Sequence, residues 1–464
     1  MQEECGIFGV YAPRYIDTFS LAQFGMFALQ HRGQEACGLS VSRNGQIHTF
    51  KREGLVLDAF KSIADIDRFQ GNAAIGHTRY TTSGDSRKLN FQPLYAQNDR
   101  GESLLAIAQN GNLVNDHALR AALEREGVHF LATSDTEVIL RLIQKHLSKG
   151  IAQAVTSTTQ AIRGGYSVLA LMPNSLAAFR DPNGIRPLCM GELDAGTWVF
   201  SSETCGLDAV GATYIRDLDP GELVIVDERG MRSIHYASQP KHRTCSFEYI
   251  YFARPDSRIE NRDVYEFRVR GGEKLFEQSP VEADVVIGVP DSGVPSAIGY
   301  AKASGIPFCP ILVKNRYMSR SFIVPTQEMR ERVVNLKLNP IPSQVKDKRI
   351  VVLDDSIVRG TTSKRLVKIL REAGAREIHL RSASPPIVAP CFLGIDTPDK
   401  KDLISARMDK AELATHLGAD SLDFLSMESL VDMLGSPNHC FGCFTARYPV
   451  SPDDKKNRLA HADL

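Results

Sequence analysis

Val351–Thr362 reads VVLDDSIVRGTT, and the character of the second half of the chain turns on this stretch. A β-branched apolar run delivers two adjacent acids, Asp354 and Asp355, to its carboxyl end, the edge at which open α/β sheets bind ligands. The hydroxyl-rich loop Ser356–Thr361 follows, and a helix opens near Thr362. Small side chains and Gly360 let backbone N–H groups converge on a phosphate, with the helix dipole behind them. The carboxylates suit vicinal hydroxyls, a Mg2+ ion, or positive charge developing on a sugar ring. One Asp before a helix would read as a cap. A pair on a strand end, ahead of a hydroxyl loop, asks for a ligand.

Outward from this stretch the rhythm is regular. From about residue 265, apolar runs alternate with helical patterns: Ala283–Val289, Ser296–Ser304, Phe308–Val313, Arg349–Leu353, Thr362–Ala373 and Glu377–Ser382. Such alternation predicts an α/β domain over 265–400, a parallel sheet covered on both faces. The first half differs. Short strands with turns (Cys5–Tyr11, Gly38–Ser42, Ala73–His77, Leu104–Ala108, Ser167–Met172, Leu176–Arg180, Trp198–Ser202, Leu223–Asp227) surround helices near Leu21–Leu29, Ala118–Glu126 and Asp135–Leu147. They predict a sheet-rich α+β domain over 5–235. Residues 236–264 read as a linker and 401–464 as a polar, mostly helical tail.

Composition narrows the partners. The 464 residues carry 55 Lys+Arg against 55 Asp+Glu, so no global positive field holds nucleic acid or an anionic membrane. The N-terminus MQEECGIFGVYAP lacks a secretory signal, and no run approaches the ~18 apolar residues of a spanning helix. Nine cysteines, an odd number, argue against a secreted disulfide framework. These features predict a cytoplasmic protein with no bulk electrostatic partner, though a local basic patch could still bind a small anionic ligand.

VVLDDSIVRGTT resembles the phosphoribosyl-diphosphate (PRPP) signature of the type I phosphoribosyltransferases. The resemblance implies that Asp354 and Asp355 meet the ribose hydroxyls and Mg2+. Ser356, Ile357, Val358, Arg359, Gly360 and Thr361 would then surround the 5′-phosphate. Upstream, GVPDSG (Gly288–Gly293) resembles the family's pyrophosphate loop, bringing Asp291, Ser292 and Gly293 to PRPP, with Ser292 able to reach the metal. A Gly/Pro/Ser turn alone would be structural. KNRYMSRSF (Lys314–Phe322) reads plainly as a solvated loop; beside these neighbours, Lys314, Arg316 and Arg320 suit a lid that neutralises pyrophosphate and shields the sugar cation from water.

In the first half, Cys5 opens CGIFGV behind only Met1–Glu4. An interior cysteine has no built-in base, whereas an α-amino group titrates near about 7.7–8.0 and can take the thiol proton. If Met1–Glu4 is a removed propeptide, Cys5 carries nucleophile and base on one residue. An early cysteine by itself is an ordinary core residue. LQHRGQEACG (Leu29–Gly38), GHTRYTTSG (Gly76–Gly84), QNGNL (Gln109–Leu113) and SDTE (Ser134–Glu137) change that reading. With CGIFGV they resemble, in order and spacing, the N-terminal-nucleophile glutamine amidotransferases, a fold of stacked sheets between helix layers. The resemblance implies that Arg79 clamps the glutamine α-carboxylate and Asp135 holds the α-amino group. Asn110 and Gly111 would form the oxyanion hole, and Arg32 would order the mouth of the site. The family usually has His where this chain has Gln109, which predicts a tuned pocket.

Cys440 and Cys443 form C-x-x-C in NHCFGCF, and Cys245 and Cys391 complete a set of four. Spacing alone leaves Zn2+ and iron–sulfur open, since four thiolates suit either. The surroundings resemble the iron–sulfur-bearing branch of the glutamine PRPP amidotransferases, which implies one 4Fe–4S cluster acting as a staple. Cys37, Cys189, Cys205 and Cys309 read as core residues.

Taken together, the two resemblances imply an enzyme converting glutamine, PRPP and water to 5-phosphoribosylamine, pyrophosphate and glutamate at the start of purine synthesis. They also imply ammonia handed between sites, feedback by purine nucleotides, and a homodimer or homotetramer. Two other readings stand beside it. The same glutaminase could serve a sugar-phosphate isomerase, which DDSIVRGTT disfavours, or a phosphoribosyltransferase fold could act as a PRPP-sensing regulator, which would not need Cys5, Arg79, Asn110 or Asp135.

Overall fold

The computed structural model describes residues 5–80, 88–98, 100–194, 196–315 and 338–451. Met1–Glu4, the TTSG of GHTRYTTSG, and Arg316 and Arg320 lie outside the described residues.

Along the first half run β1 (Gly6–Ile16), β2 (Ala36–Arg43), β3 (Gln46–Glu53), β4 (Gly71–Arg79), β5 (Leu94–Gln97), β6 (Ser103–Leu113) and β7 (Gly164–Met172). There follow β8 (Ser175–Arg180), β9 (Cys189–Glu192), β10 (Trp198–Ser201), β11 (Thr213–Asp217), β12 (Glu222–Asp227) and β13 (Gly230–His235). They form two sheets, ordered β11-β9-β10-β1-β4-β2-β3 and β13-β12-β8-β7-β6-β5. The paired strands within both are antiparallel.

The sequence explains the stacking. In β1, Ile7 and Tyr11 turn inward onto Ala106, Ala108, Leu169 and Leu171 of the facing sheet. Phe8 and Val10 turn outward onto Phe19, Ala22 and Met26 of the helix Thr18–Ala28. Across the molecule, Ile107, Val168 and Phe179 pack on Val138, Ile139 and Leu142 of the helix Asp135–His146. Strands buried on both faces read as continuous apolar runs, and each fully buried side chain contributes about 1.5–3 kcal/mol. The result is two stacked sheets between helix layers.

The second half carries a four-stranded sheet in the order Val285–Gly288, Arg349–Asp354, Glu377–Ser382, Ser421–Phe424, all parallel. Val285, Ile287, Ile350 and Val352 face the helices Thr361–Glu372 and Lys410–Leu417. Val286, Val351 and Leu353 face Phe267, Ala297 and Tyr300 of the helices Val264–Gln278 and Val294–Ser304.

Three details depart from the sequence reading. The run Phe308–Val313 is not a full strand: Phe308 makes a single parallel bridge to Val286, and Leu312–Lys314 pairs antiparallel with Leu338–Pro340. Pro307 and Pro310 remove two ladder donors. The tail supplies the sheet's fourth strand, Ser421–Phe424, with Leu422 and Phe424 in the core. The segment 236–264 does not run over the surface throughout: Phe247 is a core residue, as are Tyr249, Ile250 and Phe252 on the π-helical turn Glu248–Phe252 that follows it. Among the described residues no helix is long and apolar enough to cross a membrane.

Candidate active sites and a cysteine cluster

Cys5 is buried at the start of β1, where Gly6 pairs with Thr78 of β4. A Cβ on Gly6 would lie 2.7 Å from Thr78 Oγ1, so glycine permits this close approach. The Cys5 thiol donates to the Tyr80 carbonyl (3.4 Å), and the Cys5 carbonyl accepts from Arg32 Nε (3.1 Å). Arg32 is itself buried against Glu203 and Glu248, with Nη1 2.5 Å from Glu203 Oε1 and Nη2 2.7 Å from Glu248 Oε1. Burial pushes the Glu203 carboxyl up, but the adjoining His31 and Arg32 charges more than reverse this and hold it well below the usual range. Arg79 ends β4, buried, with Nη1 donating to the Asn90 carbonyl (2.6 Å).

On the facing sheet, Asn110 and Gly111 lie in β6, opposite Ser167 and Tyr166 of β7. Asn110 is fully buried, and neither its Oδ1 nor its Nδ2 has a hydrogen-bond partner among the described residues. An orphaned buried amide is costly, and a ligand oxygen is what its N–H would take. Asp135 opens the helix Asp135–His146, where its Oδ2 accepts from Gln109 Nε2 (3.0 Å) and from the Leu113 N–H (2.9 Å). Gln109 therefore backs the carboxylate with a neutral donor. His77 Nε2, 3.2 Å from the Gln109 carbonyl, bridges the two sheets.

In the second half, the strand Arg349–Asp354 ends at a cavity of about 330 Å³ whose lining includes Ser292, Asp354, Asp355, Ser356, Gly360 and Thr361. The Ser292 and Ser356 hydroxyls donate to opposite oxygens of Asp355, at 2.5 and 2.6 Å. Burial, then the Asp355 charge, pushes Asp354 well above the usual carboxylate range. Gly360 has φ +72° and opens the helix Thr361–Glu372. Ile357 is buried in the core beneath the loop, while Val358 and Arg359 line the cavity. A Cβ on Gly293 would meet the Leu353 carbonyl at 2.5 Å, so this glycine lets the turn after Gly288 press against the carboxylate strand. Lys314 Nζ lies 2.7 Å from Asp291 Oδ2. Oxygen donors in this arrangement suit a hard cation such as Mg2+. Tyr251 and Asp396 also line the cavity. The sequence reading missed both, as it missed Glu203 and Glu248. Asp396 follows Cys391 in APCFLGID, and the acid after that turn was the available signal.

The four cysteines share one neighbourhood. Cys245 and Cys440 form a backbone bridge, with the Cys440 N–H on Thr244 (3.0 Å) and the Ser246 N–H on Cys440 (3.3 Å). The Cys443 carbonyl accepts from Val388 and Ala389, at 2.9 and 3.1 Å, just before Cys391. Burial, then the Cys391 charge, raises the Cys440 thiol to about 12, and Cys443 is raised similarly by burial, Cys440 and Cys391. Buried thiols of this kind ionise only for a cation, so the donor chemistry fits a soft metal. As placed, however, no three His, Cys, Asp or Glu side chains among the described residues are grouped closely enough to hold a metal ion. Cys37, Cys189 and Cys205 are buried and Cys309 is half-buried.

Fold and sites together define a two-headed class, a glutamine amidotransferase joined to a phosphoribosyltransferase. Family models describing a glutamine amidotransferase domain and a phosphoribosyl transferase domain match residues 77–209 and 272–383. The chain is 45% identical to the amidophosphoribosyltransferase of Synechocystis sp., covering 98% of this chain and 93% of that one. It is 43% identical to that of Archaeoglobus fulgidus, covering 96% and 98%. The solved glutamine PRPP amidotransferase of B. subtilis, complexed with ADP and GMP, superposes with a TM-score of 0.91 at 41% identity, covering 97% of this chain and 98% of that chain. The chain belongs to the amidophosphoribosyltransferase family. It is a transferase of purine biosynthesis, making 5-phosphoribosylamine, pyrophosphate and glutamate from glutamine, PRPP and water.

Proposed function

We propose that the two sites work in series. Removal of Met1–Glu4 gives Cys5 a free α-amine that takes the thiol proton. Sγ then attacks the side-chain amide of glutamine. The Asn110 amide and the Gly111 N–H hold the oxyanion, Arg79 holds the α-carboxylate, and Asp135 holds the α-amino group. Ammonia leaves, and water hydrolyses the thioester to glutamate. Free ammonia is largely protonated at neutral pH, so transfer inside the protein keeps it nucleophilic. At the second site it displaces pyrophosphate from C1 of PRPP. Asp291, Ser292, Gly293, Lys314 and Arg316 bind the pyrophosphate side. Asp354 and Asp355 bind the ribose, and Ser356 to Thr361, through Ile357, Val358, Arg359 and Gly360, bind the 5′-phosphate. Asp354, Asp355 and Ser292 would hold Mg2+, which supplies charge neutralisation of the leaving group.

The observation that carries this reading is Asn110, fully buried with both amide atoms unpartnered among the described residues, beside Gly111 in the strand facing Cys5. Cys5→Ala should abolish glutamine-dependent synthesis and spare ammonia-dependent synthesis; equal loss of both overturns the two-site scheme. Mass spectrometry of the purified N-terminus checks the removal of Met1–Glu4.

The same reading assigns Cys245, Cys391, Cys440 and Cys443 to one structural 4Fe–4S cluster, with Zn2+ as the alternative that metal analysis separates. Purine nucleotides act as feedback inhibitors, a role supported by the ADP and GMP in the B. subtilis enzyme. The chain assembles as a homodimer or homotetramer. Nine cysteines, an odd number that does not suit a secreted disulfide framework, favour a cytoplasmic location.

A further inference from the structure

The residue proposed as the glutamine nucleophile is held partly from outside its own half. Arg32 donates from Nε to the Cys5 carbonyl, which leaves its two terminal nitrogens facing acids. Nη2 and Nη1 reach Glu248 at 2.7 and 3.0 Å, and Nη1 also reaches Glu203 at 2.5 Å. Glu248 accepts again from Arg186 Nη2. The side chains of Arg32, Arg186, Glu203 and Glu248 are all 0% exposed, so each charge depends on the others and not on bulk solvent.

Glu203 and Arg186 belong to the first half, whereas Glu248 lies in the segment 236–264 that joins the two halves. Its neighbours Phe247, Tyr249, Ile250 and Phe252 share a core with Val286, Val351 and Leu353 of the parallel sheet and with Val114 and Ile185 of the first half. Glu248 begins the π-helical turn, a rare conformation concentrated at functional positions. Arg268 braces this turn, donating to the Tyr249 carbonyl (2.9 Å) and the Ala253 carbonyl (2.8 Å). Arg268 also lies within the field of Asp355, the carboxylate of the second cavity.

We propose that Glu248 is a positioning residue for glutamine hydrolysis, a carboxylate lent by the segment joining the two halves that fixes Arg32 and, through Arg32, the backbone of Cys5. With that carbonyl pinned, rotation about the Cα–C bond cannot swing the thiol and α-amine away from the bound amide. Small misplacements remote from the chemistry can cost about 100-fold in rate. The inference rests on the reading of Cys5 as the nucleophile.

Glu248→Gln preserves shape and removes the charge. The expected result is a fall of about 10- to 100-fold in kcat for glutamine hydrolysis, with KM for glutamine little changed because Arg79 and Asp135 are untouched. Ammonia-dependent synthesis should stay within about twofold, and Glu248→Asp should recover part of the loss. Glu248→Gln leaves two buried guanidinium groups undercompensated, so the double variant Glu248→Gln with Arg186→Met, which restores the charge balance, carries the test if the single variant does not fold. Parallel loss of both activities in the stable double variant, or unchanged glutamine hydrolysis, overturns the proposal and leaves Glu248 a fold residue. Failure of the underlying reading looks different: Cys5→Ala would then still hydrolyse glutamine.

Discussion

Gly111 has φ +131°, and a Cβ built there would lie 2.1 Å from the Gly165 carbonyl oxygen. The obstacle is backbone of the paired strand and cannot give way. Gly111→Ala should therefore cost about 1–3 kcal/mol of stability and lower glutamine-dependent kcat about 10²–10³-fold, readable by denaturant unfolding and steady-state assay. His77 makes a different test. Burial, then the Arg79 charge, pushes its imidazole from 6.5 down to about 3. The unfolded chain takes up a proton below about pH 6.5 that the folded chain refuses, so this contribution to stability is full above that pH and declines as pH falls toward 3. Asp181 and Asp217, pushed up by burial to about 6, have the opposite sign and lose stability as pH rises through 6. Comparison with a variant separates these opposing slopes. Between pH about 7 and 5, unfolding free energy should fall more steeply in the parent than in His77→Gln; parallel curves would contradict the assignment.

At the scale of elements, the helix Lys410–Leu417 begins in a capping box. The Asp409 side chain accepts from the Ala411 and Glu412 N–H groups, at 2.8 and 2.9 Å, and Glu412 returns to the Asp409 N–H. The last residue of that helix, Leu417, packs over the proposed phosphate loop: a Cβ on Gly360 would lie 3.3 Å from Leu417 Cδ2. Asp409→Ala should cost about 1 kcal/mol, seen as a lowered Tm, with a raised KM for PRPP if fraying reaches Gly360. Much of the element pattern was legible because burial on both faces writes itself as continuous apolar residues, as in Gly6–Ile16 and Arg349–Asp354. Phe308–Val313 misled because apolarity outlasted the backbone donors that Pro307 and Pro310 remove. The π-helical turn Glu248–Phe252 was illegible: EYIYF is dense in aromatics but follows neither the strand nor the helix period, and only tertiary packing assigns it.

At the scale of the whole molecule, the four cysteines join parts that are distant in sequence, and their surroundings reach the first site. The Cys245 N–H donates to the Ile185 carbonyl (3.1 Å) of the first half. Beside Cys391, the Phe392 carbonyl accepts from Asn112 Nδ2 (3.0 Å), and a Cβ on Gly394 would lie 2.9 Å from Gly111 Cα. Sequence could nominate these thiols, since C-x-x-C is a local signal, but not the packing of their segment against the QNGNL strand, which depends on contacts 280 residues apart. On the proposed reading of these thiols, bound metal would add its binding free energy to folding, and its loss should loosen the segment behind Gly111 before it disturbs the cavity at Asp355. Cys443→Ser should thus remove iron, acid-labile sulfide and visible absorption, and lower Tm. Glutamine-dependent synthesis should decline further than ammonia-dependent synthesis in the same preparation. Bound zinc without iron in the parent would replace the cluster and leave the mechanical argument standing. An unchanged Tm and an unchanged ratio of the two activities would remove it.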